Sequence, residues 1–83
     1  MNITLKLYAM LGQYLPENAI ANEAEITLSG AVSVVDVLNK YGVPLEQCHL
    51  VLINGNYVEP SARETLHLKE NDHMAVWPPI AGG

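Results

Sequence analysis

Residues 33–42 form the one stretch of this sequence with helix signals at both ends, which favours a fold where a single main helix serves a sheet. Ser33 stands at an N-cap position, and Asp36, three residues on, completes a capping box and suits the positive end of the helix dipole. Val34, Val37, Leu38 and Tyr41 follow the i, i+3, i+4, i+7 spacing of one buried face, with Lys40 in the last turn. Gly42 fits the C′ stop, and Pro44 blocks continuation. Val34, Val35 and Val37 are β-branched and lower the helix propensity, so packing on a sheet must hold the segment in place.

Period-2 patterns occupy much of the rest. Ile3, Leu5 and Leu7 alternate with Thr4, Lys6 and Tyr8, which predicts a half-buried first strand. Residues 9–16 suit a short helical turn ending near Pro16, and 17–22 read as loop. Ala24, Ile26 and Leu28 restore the alternation until Gly30, giving a second strand expected to pair with the first as a hairpin. Leu50-Val51-Leu52-Ile53 is a continuous apolar run, expected to be covered on both faces or to lie centrally in the sheet. Leu38 and Leu52 are accordingly expected in one core. Asn54-Gly55 is a hairpin signal with Tyr57-Val58 as the return strand, and 59–64 reads as loop. Leu66 and Leu68 alternate with His67 and Lys69, and a last strand is predicted through Met74 and Val76 to Trp77, ended by Pro78-Pro79. The order strand, strand, helix, strands predicts an α+β domain with one helix on a mixed sheet.

The chain has 83 residues, 49% of them apolar, enough for one compact unit and too few for two cores. Its single cysteine, Cys48, excludes an internal disulfide, and no charged-then-apolar leader precedes the first strand, so a cytoplasmic location is expected. No apolar run approaches the roughly 20 residues of a membrane span, so no membrane partner is expected. Nine acidic residues outweigh Lys6, Lys40, Arg63 and Lys69, which are scattered. Phosphate binding draws on clustered basic side chains, so no nucleic-acid partner is expected; a basic docking surface on another protein suits this charge better.

Few residues offer catalytic chemistry. The sequence has no recognisable Ser/His/Asp set, no phosphate-cradling glycine loop and no paired cysteines, which argues against an enzyme. His49, His67 and His73 match no common zinc spacing, and no metal or cofactor is expected. Cys48 has only His49 beside it as a candidate base, and a strand would send the two to opposite faces, so it reads as a structural thiol. Trp77, at a strand end, is a candidate partner anchor or a closure for the edge of the core.

The end of the sequence is more informative. Gly82-Gly83 follow Pro78-Pro79, whose fixed φ angles are expected to drive residues 78–83 away from a domain spanning 1–77 as an extended arm. A stiff arm with a side-chain-free tip suits a terminal carboxylate that must pass a narrow channel into another protein's active site. A carboxylate is unreactive towards nucleophiles until activated, for instance as an acyl-adenylate, so this reading predicts a partner enzyme.

With Leu52-Ile53-Asn54-Gly55, Tyr57-Val58, Leu68-Lys69-Glu70-Asn71-Asp72 and above all Pro78-Pro79-Ile80-Ala81-Gly82-Gly83, nearly the whole chain resembles the MoaD/ThiS family of sulfur carriers. The resemblance implies the β-grasp fold of ubiquitin, and a small carrier rather than an enzyme. It further implies adenylation of the terminal glycine by an E1-like adenylyltransferase of MoeB/ThiF type, then conversion to a thiocarboxylate by a sulfurtransferase or persulfide donor. Gly83 maps onto the modified residue and Gly82 onto the glycine that accompanies it, while Trp77, Pro78, Pro79, Ile80 and Ala81 map onto the partner-binding approach. The Pro-Pro before the last four residues resembles the small subunit of molybdopterin synthase, which implies molybdenum cofactor synthesis and a synthase large subunit as a further partner. Trp77 stands where phenylalanine is common, and Ala9 to Leu15 lacks an arginine often found there. Two other readings remain open: a ubiquitin-like modifier joined to lysines through Gly83, or a carrier for thiamine or another sulfur pathway. A β-grasp interaction module without terminal chemistry is a third.

Overall fold

The computed structural model describes residues 1–79. Five strands, β1 (Asn2–Leu7), β2 (Glu23–Thr27), β3 (Leu50–Ile53), β4 (Asn56–Tyr57) and β5 (His73–Trp77), form one mixed sheet in the order β2-β1-β5-β3-β4. Only the β1–β5 pairing is parallel, and it makes the last strand the central one. Helix α1 (Val34–Lys40) contributes Val34, Val37 and Leu38 to a core shared with Ile3, Leu5, Leu7, Ala24, Ile26, Val51, Met74 and Val76. The alternation in β1, β2 and β5 follows directly: every second residue turns to the helix, and the others form the opposite, open face.

Both ends of α1 form as their residues direct. Asp36 N–H donates to Ser33 Oγ at 3.1 Å and Ser33 N–H to the Asp36 carboxylate at 3.0 Å, a complete capping box. At the other end Gly42 takes φ +72°, its N–H donates to Asn39 O at 3.1 Å, and Val43 N–H donates to Leu38 O at 2.9 Å. These two bonds make a Schellman motif, sealed by contact-buried Val43 and Leu38. Asn54 and Gly55 have φ of 51° and 83°, the pair of positive values that a type I′ hairpin turn demands.

Three expectations change. The return strand β4 is Asn56–Tyr57, with Val58 just past it. Leu66–Lys69 does not join the sheet. Its His67 makes a single bridge to Ser33, and the carbonyls of Leu66 and Arg63 accept from Val34 and Val35, the first free amides of α1. Satisfying the helix entrance takes precedence over extending the sheet. Leu52, finally, is not in the core: Val51 pairs with Val76 facing the helix, and Leu52 pairs with Ala75 on the open face, half-buried. Ala9–Tyr14 forms the expected short helical turn, as a 3₁₀ helix.

Candidate functional site

β5 lies at the centre of the sheet and leads directly into Pro78 and Pro79, the last described residues. Met74 and Val76 are fully buried, so alternation places Ala75 and Trp77 on that open face. The Trp77 indole stacks on the Tyr8 ring with centroids 4.4 Å apart and planes 9° from parallel. Tyr8 is brought there by its N–H bond to Val76 O at 3.0 Å, and the chain turns away immediately afterwards through Ala9, at φ 52°. Left-handed backbone is uncommon for a residue other than glycine. Behind Trp77, its carbonyl accepts from His49 N–H at 2.9 Å, while Leu50 is its register partner on β3. Two residues opposing one is the pattern of a β-bulge.

Leu50, Leu52, Ala75, Trp77 and Tyr8 are each half-buried, and Tyr57, opposite Leu52, is 56% exposed. Together they make an apolar strip on the open face that runs to the root of the chain end. On one side it is bordered by Lys6 and by Glu23 and Glu25 of β2, which are paired with Lys6 and Thr4. Trp77 covers part of the open face of the sheet through its stack on Tyr8 and remains half-buried. Pro78 is buried and Pro79 exposed. Ile80, Ala81, Gly82 and Gly83, the remaining residues singled out from the sequence, lie outside the described residues.

Cys48 is 5% exposed and its thiol donates to Pro44 O at 3.4 Å. Burial pushes its pKa up and the Glu46 carboxylate adds to this, while the Arg63 guanidinium pulls the other way. A thiol held protonated is a poor nucleophile. Among the described residues no three His, Cys, Asp or Glu side chains group closely enough to hold a metal ion. Asp72, buried near the β3–β4 turn, accepts from Asn54 Nδ2 at 2.8 Å and Lys69 N–H at 2.7 Å and so is engaged in fixing that turn. No helix among the described residues is long and apolar enough to cross a membrane.

Sequence reasoning missed Tyr8, Leu50 and Leu52 as members of this face. A signal for Tyr8 existed, an aromatic residue at a solvent-parity position of the first strand; for β3 the unbroken apolar run carried no parity at all.

A mixed five-stranded sheet carrying one helix, with its last strand central and parallel to the first, defines the ubiquitin-like β-grasp class. The chain belongs to the Mut7-C ubiquitin family, whose model matches residues 1–81. The match stops short of Gly82 and Gly83. Two solved structures share the fold over 100% of both chains: SAMP1 from Haloferax volcanii at 23% identity and TM-score 0.67, and the thiamine biosynthesis protein ThiS from Geobacter metallireducens at 18% identity and TM-score 0.67. The fold implied by the MoaD/ThiS resemblance is thus the fold observed. A comparison with curated proteins found no match.

Proposed function

We propose that this chain is a sulfur carrier whose Gly83 carboxylate is adenylated by an E1-like enzyme and converted to a thiocarboxylate. The observation that supports this reading is what precedes the tail: the central strand β5 ends at Trp77, stacked on Tyr8 beside an open apolar face, and is followed by a buried Pro78. In this reading residues 1–77 are the docking body and 78–83 the arm. From Pro79 the four residues to Gly83 span at most about 14 Å, so the partner's reaction centre must lie that close to the root and the partner must dock against the adjacent face. Trp77, Pro78, Pro79, Ile80 and Ala81 line the approach, and Gly82 and Gly83 enter the narrow part.

The chemistry follows from the carboxylate. It attacks the α-phosphorus of ATP and releases pyrophosphate, which makes AMP the leaving group. Persulfide sulfur on a sulfurtransferase then adds to the acyl carbon as AMP departs, and a thiol cleaves the resulting acyl disulfide to leave a thiocarboxylate. The chain is a cosubstrate here rather than a catalyst. The Pro-Pro tail favours the molybdopterin branch, with a synthase large subunit as the sulfur acceptor's enzyme; the likeness to a thiamine biosynthesis protein suits cofactor synthesis in general.

Incubation with a MoeB/ThiF-type adenylyltransferase, ATP and a persulfide donor is expected to replace one oxygen by sulfur on the peptide ending in Gly83. Deletion of Gly83 or addition of one residue after it is expected to abolish the product, whereas Cys48→Ala keeps it. Sulfur on Cys48, or on the extended end, overturns the mechanism; attachment of the tail to lysines of other proteins would assign the chain to modification instead.

A further inference from the structure

Arg63 is 7% exposed, yet none of its bonded partners among the described residues is a carboxylate. Its Nε donates to Val58 O at 3.1 Å, Nη1 to Cys48 O at 2.8 Å and Nη2 to His49 O at 3.3 Å. Burying a cation is costly, and an apolar side chain of similar volume often stabilises such a position as well or better. Packing therefore does not account for an arginine here. What the guanidinium adds is a planar fork that fixes three carbonyls from two separate segments at once.

Two of those carbonyls belong to Cys48 and His49, and His49 continues the chain of contacts. Its N–H is shared between Gln47 O at 3.2 Å and Trp77 O at 2.9 Å. The Trp77 carbonyl is bonded covalently to Pro78, which has no N–H with which to extend the ladder. The His49 bond thus lies at the last point where β3 can steer the departing chain.

We propose that Arg63 is a positioning residue for the end of β5: by gripping the Cys48 and His49 carbonyls it sets the His49 amide, the Trp77 carbonyl and so the direction in which the chain leaves β5 at Pro78. The purpose of this device rests on the carrier reading above; its geometry does not. A lysine keeps the charge but offers a point donor that cannot replace the fork.

The test uses the full chain with Arg63→Lys and Arg63→Met. Amide hydrogen exchange at His49 is expected to quicken at least tenfold, while Thr4 and Leu7, bonded to Asp72 and Asn22 elsewhere on the sheet, stay within twofold. In adenylation by a MoeB/ThiF-type enzyme with the chain as varied substrate, kcat is expected to fall about tenfold with KM within twofold, since the docking face is kept and the carboxylate is presented off line. Exchange that rises equally at His49, Thr4 and Leu7, or an unchanged kcat, overturns the proposal and leaves Arg63 a structural brace. If the wild-type chain is not adenylated, the carrier reading fails by itself, and the exchange pattern alone decides whether the clamp exists.

Discussion

Cys48 shows how a single side chain's surroundings settle its role. Burial favours the neutral thiol, so its folded pKa is raised above the unfolded value. Below the ordinary thiol range both states hold the proton and pH has no effect. As pH climbs through that range the unfolded chain releases its proton first, so stability is lost until the folded pKa is passed, with a slope no steeper than about 1.4 kcal/mol per pH unit. Tyr41, also raised by burial, adds to the loss in the same sense at higher pH. Urea unfolding across the alkaline range is expected to show this decline, and Cys48→Ala to remove its first part; a wild-type curve that rises there would contradict the buried thiol. At Trp77 the expectation concerns a partner. Trp77→Ala should raise KM for adenylation and quicken dissociation, since a half-buried aromatic beside the tail acts through the lifetime of the complex. Binding kinetics that ignore Trp77 would displace the docking face from this strip.

Among the elements, α1 depends on its ends more than on its length. It has seven residues, three of them valine, and short helices of such composition are not stable alone. Ser33→Ala removes the oxygen that accepts from Asp36 and is expected to cost about 1 kcal/mol in urea unfolding. Gly42→Ala keeps open space around the new methyl but must hold φ +72°, which is expected to cost about 1–2 kcal/mol. The two changes act on opposite ends and should add. Near-neutral results for both would mean that contacts with the sheet alone hold the helix.

At the scale of the whole molecule, the two faces of the sheet predict opposite kinds of damage. Leu38→Ala opens a cavity among fully buried neighbours and should cost about 2–5 kcal/mol. Leu52→Ala removes a half-buried side chain from the open face, so its cost should be nearer 1 kcal/mol, with the larger effect on docking to the activating enzyme. Equal losses of thermal stability would place Leu52 back in the core and remove it from the docking strip.

Much of this architecture could be read along the chain. β1, β2, α1 and the Asn54-Gly55 turn each carry their signal within a few residues, as a period, a cap or a pair of residues that tolerate positive φ, so local physics determined them. The Pro78-Pro79 and Gly82-Gly83 pairs were visible as composition, and the arm proposed for them rests on that composition. Tertiary structure decided what depends on residues far apart. An unbroken apolar run such as Leu50–Ile53 has no parity, and only its register against β5 turned Val51 inward and Leu52 outward. The extended segment Leu66–Lys69 had a strand's pattern, but free amides at the start of α1 claimed its neighbourhood. Tyr8 meets Trp77, and Arg63 grips Cys48 and His49, across spans of chain that no local pattern records, because a contact between distant residues exists only once the sheet has closed around its central strand.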